Sequence, residues 1–369
     1  MNEVRHVLGI SGGKDSTALA IYLKQKYPEL AIEYYFCDTG KELEETYGLI
    51  DNLEVFLGKK ITRLNAAQGS PNDAFDHFLT LYGGFLPSSG ARWCTKNLKL
   101  QPFEDFVGND LVVSYVAIRG DENREAYISR KTNIQSIFPF RKNIWSQDVL
   151  LEVLSNPSIP TVEHLYMQSL DGKALDRKSL RQIVRREVTA AYSTERKLND
   201  LLRVDVPAFN RVVFQFLKGT QYPLGKANHY PLVDNQDELS ITDVFRLLKE
   251  SGVGVPAYYE KLEFEVDGKK GYFSRSRSGC YFCFFQQKIE WVWLYERHPD
   301  LFAKAMEYEK EGYTWMQNER LEDLIKPERI KQIKEEMIKK SERGATNKSD
   351  YLLSIIQDAD GEGCAACFI

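Results

Sequence analysis

What this chain lacks narrows its function first. No apolar run approaches the ~20 residues that cross a bilayer as a helix, and no basic-then-apolar leader opens the sequence. Both features lead us to expect a cytoplasmic protein with no membrane partner. There is no basic surplus: 49 Lys and Arg stand against 53 Asp and Glu, a net charge of −4. Clinging to nucleic acid through bulk charge is thereby excluded, so any such contact must come from a local patch or from partner subunits. Histidine is scarce, and His6, His77, His164, His229 and His298 fall at no metal-ligand spacing. A G-x-x-x-x-G-K-[ST] loop is missing as well, which turns the reading away from β/γ-phosphate transfer.

What is there begins at once. A short apolar strand (residues 6–10) runs into Ser11-Gly12-Gly13-Lys14-Asp15-Ser16-Thr17, and a helical pattern follows to residue 26. Two glycines let the backbone approach an anion closely, and the helix aims its free N–H groups and positive dipole end at the same spot. Ser11, Ser16 and Thr17 add hydroxyls, Lys14 a positive charge and Asp15 a carboxylate. The loop reads as a phosphate site.

Further strands are expected at 31–37, 60–64 and 111–118, with a helix over 43–57. This alternation predicts an α/β fold: a doubly wound, mostly parallel sheet, then a mainly helical C-terminal region. We divide the chain into segments 1–141, 142–229 and 230–369. Ligands of such sheets sit beyond the carboxyl ends of the strands. The Ser11 loop, Asp38-Thr39-Gly40 and Arg119-Gly120 should therefore gather on one edge. An acid at that position, Asp38, suits a ribose hydroxyl or Mg2+. Arg119 and Arg124 are candidates to stabilise charge on an α-phosphate and a leaving pyrophosphate. The competing account pairs them with Asp121 or Glu122.

Six cysteines remain. Cys94 lies between Arg92 and Lys96 near an expected helix start, which favours a thiolate suited to carrying sulfur or holding a cluster. Cys280 with Cys283, and Cys364 with Cys367, form two C-x-x-C pairs whose four sulfurs suit Zn2+ or an iron–sulfur centre equally. Residues 171–203 carry nine Lys and Arg against five Asp and Glu, and Arg177, Arg181 and Arg185 recur every four positions. A basic helical stripe there could hold a nucleic-acid backbone, or be a solvated face.

Taken in order, the Ser11–Ser16 loop, Asp38-Thr39-Gly40 with Glu45-Thr46, Arg92-Trp93-Cys94-Thr95, residues 119–124 and Cys280–Cys283 resemble the PP-loop ATP pyrophosphatases of the PAPS reductase-like branch. The nearest likeness is to the DNA phosphorothioation sulfurtransferases of the DndC/SspD type. It covers residues 4–137 and 230–302. The resemblance implies an adenine nucleotide α-hydrolase-like fold that binds ATP and Mg2+, with Zn2+ or a 4Fe-4S cluster at the cysteines. Lys14, Asp15, Cys94 and Arg124 would act in catalysis. Ser11, Gly12, Gly13, Asp15, Ser16, Thr17, Asp38, Thr39, Gly40, Arg119 and Gly120 would hold ATP. It further implies adenylation of a DNA backbone phosphate followed by sulfur incorporation, as a modification used in antiviral defence. A cysteine desulfurase would supply the sulfur, and DNA would be reached through partner subunits and the 171–203 insertion. The tail lacks the reductases' Glu-Cys-Gly-x-His-like motif, which weakens the reading as a sulfonucleotide reductase, the first alternative function. Two further functions fit the same motifs: a tRNA thiolase, and a nucleotide-sensing module of a defence complex.

Overall fold

A computed structural model describes residues 4–122, 129, 131–169, 177–317 and 319–345. Strands β1 (Arg5–Gly9), β2 (Ile32–Cys37), β3 (Thr62–Leu64), β4 (Val112–Tyr115) and β5 (Ile134–Ile137) form one sheet in the order β3-β2-β1-β4-β5. Every pairing is parallel. β4 and β5 are buried at every position, as a sheet covered on both faces requires. Helices α1 (Lys14–Lys26) and α2 (Glu44–Leu57) follow β1 and β2 directly. α3 (Ala74–Leu81), α4 (Trp93–Thr95), a π-helical turn at Lys96–Leu100 and α5 (Gln101–Val107) carry the chain from β3 across to β4. The strand order reverses between β1 and β4, so the crevice beyond their carboxyl ends is the expected binding place.

The expected α/β sheet and helical C-terminal region are what the structure contains. β5 went unanticipated: polar Gln135 and Ser136 sit between Ile134 and Ile137, so neither an apolar run nor an alternation marks it, although all four residues are buried.

Beyond β5 the described chain is helical: α6 (Gln147–Val153), α7 (Ile159–Ser169), α8 (Arg177–Arg185), α9 (Thr194–Val204), α10 (Val206–Leu217) and α11 (Ile241–Glu250). A continuous apolar core joins α1 and the sheet to these helices through Trp145, Tyr166, Val213 and Val244. α11 packs directly on α1. A hairpin, β6 (Leu262–Val266) with β7 (Lys269–Phe273), leads to α12 (Lys288–Arg297), α13 (Pro299–Glu307), α14 (Leu321–Leu324) and α15 (Pro327–Ala345). This last part shares a second core with Leu43, Phe75, Trp93 and Leu98 from the first third. The C-terminal region is thereby folded back over the sheet edge that carries the loop. Among the described residues, no helix is long and apolar enough to cross a membrane.

Candidate functional site

The loop between β1 and α1 turns on Gly12, whose φ of +69° disfavours any side chain; an added Cβ would lie 2.3 Å from Thr46 Cγ2. The Ser11 N–H donates to Ser16 Oγ at 3.1 Å, and Ser16 Oγ bonds back to the Gly13 carbonyl at 3.4 Å. Thr17 Oγ1 is buried without a hydrogen-bond partner.

Lys14 and Asp15 are both buried, and Lys14 Nζ lies 3.1 Å from Asp15 Oδ2. Arg119 lies four residues beyond β4, fully buried, and its Nη1 donates to Asp15 Oδ1 at 2.6 Å. Its Nε donates to Asp121 Oδ1 at 2.9 Å, and Glu122 Oε1 is 2.8 Å from Nη1. Burial alone would push the Asp15 carboxyl up, but Lys14 and Arg119 hold it below the usual carboxylate range. The structure contains the ion pairing that was the competing account of Arg119. It is ion-paired with Asp121 and Glu122, and through Asp15 it is tied to the loop. Gly120 donates its N–H to the Leu239 carbonyl. Arg124 lies outside the described residues.

At the end of β2, Asp38 Oδ1 accepts from the Gly40 N–H and from the Tyr47 hydroxyl, both at 2.9 Å. No hydrogen bond reaches Asp38 Oδ2 among the described residues; its nearest cation is Arg63 at 3.9 Å. That open oxygen fits a hard cation, and Asp38 is the residue that would face Mg2+. Thr39 Oγ1 donates to Glu42 Oε1 at 2.9 Å and is 3.2 Å from Cys280 Sγ, linking this strand end to the C-x-x-C turn.

The chain also covers its own loop, which sequence reasoning missed. Tyr258 donates its hydroxyl to the Gly12 carbonyl at 3.2 Å, and the Lys14 N–H donates to the Tyr259 hydroxyl at 3.3 Å. Lys14 Nζ donates to the Ser276 carbonyl at 3.2 Å, and Ser278 Oγ to the Ser11 carbonyl at 3.3 Å. Glu290 fixes this segment by accepting from the Ser276 N–H and hydroxyl. The only signals were the tandem tyrosines and the polar Arg-Ser-Arg-Ser-Gly run before Cys280, neither of which specifies a distant contact.

Arg275 is buried, and its Nη2 donates to the Gly279 and Cys280 carbonyls and to Gln286 Oε1, shaping the turn that carries the thiols. The expectation of a thiolate at Cys94 is corrected: burial pushes its thiol up to about 11, and Cys283 adds to the rise. α4 is only three residues long and supplies little dipole against that burial. Burial likewise raises Cys280 and Cys283. Cys364 and Cys367 lie outside the described residues, and among those described no group of three or more His, Cys, Asp or Glu is placed to hold a metal ion. The described residues thus do not assemble the expected sulfur-ligated centre.

The basic stripe is also altered by its surroundings. Arg181 Nε and Arg185 Nε both bind Glu163 of α7, at 2.9 and 2.8 Å, and Lys197 is buried against the Arg186 carbonyl.

Over 153 residues the chain is 32% identical to an uncharacterized protein of Methanocaldococcus jannaschii, a match covering 38% of this chain and 30% of that protein. It is 27% identical over 127 residues to the tRNA-specific 2-thiouridylase MnmA of Psychromonas ingrahamii, covering 31% of this chain and 33% of the relative. With the MnmA of Haemophilus influenzae it shares 27% identity over 139 residues, 34% of this chain and 35% of the relative. The matched stretch is about a third of the length of each of these proteins. No family model matches the chain, and no solved structure does. The distant thiouridylase likeness and the five-stranded parallel sheet fit the PP-loop superfamily.

Proposed function

We propose that this chain is an ATP pyrophosphatase that adenylates a DNA backbone phosphate and then passes sulfur to it. The observation that carries the reading is the buried Lys14–Asp15–Arg119 array at the crevice between β1 and β4. The array pins Lys14 at the helix N-terminus that follows the loop, while Arg119 is held by Asp15, Asp121 and Glu122. Lys14 so placed supports a reaction at an α-phosphate, because negative charge grows there and on the departing pyrophosphate.

In this reading Ser11, Gly12, Gly13, Ser16 and Thr17 cradle the pyrophosphate. Asp15 orients Lys14 and Arg119, and Asp38, Thr39, Gly40 and Gly120 border the nucleotide. Mg2+, when bound, neutralises phosphate charge. A DNA phosphate oxygen attacks the α-phosphorus and pyrophosphate leaves. A persulfide on Cys94, loaded by a cysteine desulfurase, then displaces AMP, and a second thiol takes the carrier sulfur into a disulfide to free the phosphorothioate.

A second reading, thiolation of a tRNA base after the same adenylation, is favoured by the names of the thiouridylase relatives. Mass spectrometry of nuclease-digested host DNA, with and without the gene, separates the two. Sulfur-containing dinucleotides that vanish on deletion support the first reading. Their absence from both strains, with a thiolated tRNA base lost on deletion, replaces it with the second.

A further inference from the structure

Seven large apolar or aromatic side chains are exposed among the described residues, and three of them, Tyr82, Phe85 and Tyr313, are joined through ring contacts and Trp93. Tyr82 stacks on Trp93 with ring centroids 5.1 Å apart, and Phe85 meets Tyr313 edge to face at 5.5 Å. The Trp93 indole N–H donates to the Phe85 carbonyl at 3.0 Å, so this face is continuous with α4 and Cys94. Three exposed cations belong to the same segments as the rings. Arg92 lies 5.0 Å from the Phe285 ring centroid, Lys310 Nζ packs against Gly84, and exposed Lys96 follows one turn after Arg92. No carboxylate among the described residues forms an ion pair with Arg92, Lys96 or Lys310, and Glu311 is the next residue after Lys310. The 171–203 segment differs, since Glu163 holds both Arg181 and Arg185.

Exposed rings on the same segments as unpaired cations match a nucleic acid whose bases are free to stack and whose phosphates need neutralising. A duplex hides its base faces, so an unpaired strand is the better fit. We infer that the Arg92–Lys96–Lys310 face with Tyr82, Phe85 and Tyr313 docks an unpaired DNA strand beside Cys94. The choice of DNA rests on the proposed function. The choice of this face over the basic insertion rests on charge pairing alone. An acidic protein thereby gains a local nucleic-acid site despite its net charge.

The test uses the full chain and a fluorescein-labelled single strand of about 16 nucleotides, the upper end of the site sizes of single-strand binding folds, read by anisotropy. The Arg92→Glu/Lys96→Glu/Lys310→Glu variant should bind at least about ten-fold more weakly, with a log–log salt slope reduced by about two. Phe85→Ala/Tyr313→Ala should weaken binding with the slope unchanged. Arg181→Glu/Arg185→Glu should bind like the parent. Thermal unfolding and binding of a fluorescent ATP analogue check that each variant is folded with its nucleotide loop intact. Loss of binding in the insertion variant but not in the face variants overturns the proposal. So does tighter binding of an RNA of the same sequence, or no binding of either strand by the parent. Pyrophosphate release from ATP by the parent is scored separately: its presence with unaltered DNA binding in the face variants sinks this surface alone, whereas its absence sinks the function on which the inference rests.

Discussion

Arg119 Nη1 lies 2.6 Å from Asp15 Oδ1, joining the segment after β4 to the loop after β1 across the point where the strand order reverses. Neither residue is exposed enough for water to replace the other. Removing one partner of a buried pair leaves the remaining charge uncompensated, which costs about 3–5 kcal/mol. Arg119→Ala should lower the stability measured by chemical denaturation by that amount, and Asp15→Asn by less, because Lys14 and Arg119 retain other carbonyl or carboxylate contacts. The lowered Asp15 pKa adds an acid dependence. Its contribution is complete above the ordinary carboxylate value of 3.8 and is lost as pH falls through the lower folded value. Asp15→Asn should remove that component of acid unfolding.

His6 supplies a pH dependence in a different window. It is stacked between Tyr115 and Tyr230, and burial lowers its pKa from 6.5 to about 4. Between those values the unfolded chain holds a proton that the native chain does not. Stability is therefore complete above 6.5 and declines as pH falls toward 4. A shift of this size corresponds to at most about 3 kcal/mol. Denaturation midpoints taken from pH 7 down to 4.5 should show this decline in the parent chain, and His6→Phe should flatten it.

Two glycines in neighbouring elements should respond oppositely to alanine. At Gly12 the left-handed backbone costs an L-residue about 1–2 kcal/mol, and the new methyl would meet Thr46 Cγ2 at 2.3 Å. Gly12→Ala should therefore destabilise the chain and weaken ATP binding, and Thr46→Ser should recover part of the loss by deleting that methyl. Gly48, inside α2, faces open space. Gly48→Ala should stabilise by about 0.5–1 kcal/mol, because helix formation then costs less backbone entropy. Thermal melts of the three variants decide.

Cys94→Ser should separate the two half-reactions of the proposed function. The thiol lies in α4, outside the Lys14–Asp15–Arg119 array, so ATP–pyrophosphate exchange should remain measurable while sulfur incorporation into DNA falls to background. Loss of exchange as well would assign Cys94 to the adenylation site instead.

The sheet and its first loop are legible in the sequence because their signals are local. Strand 6–10, the Ser-Gly-Gly turn and the helix after it occupy one continuous stretch, and β2 with α2 repeats the pattern. The cover over that loop is not, because Lys14 meets Tyr259 across 245 positions and no periodicity reports such a contact. The basic segment misleads for a different reason. Counting charges gives a surplus over 171–203, but Glu163 lies upstream of that window and Lys197 is buried within it. Cys94 stands out by its basic flanks, but the burial that governs its thiol comes from packing against the C-terminal core.

The Tyr259 hydroxyl occupies the backbone N–H of Lys14, one of the donors that a loop of this kind offers to phosphate. If an ATP phosphate takes over that N–H, binding must first break a bond with a net worth of about 0.5–1.5 kcal/mol. Tyr259→Phe removes the competing acceptor while keeping the ring that packs over Lys14 at 5.3 Å. It should therefore tighten binding of a fluorescent ATP analogue several-fold while slightly lowering the stability of the free protein. Ser278→Ala leaves that N–H engaged and should not reproduce the tightening. Weaker binding in Tyr259→Phe would mean instead that the hydroxyl stays in place beside the bound nucleotide and contributes to holding it.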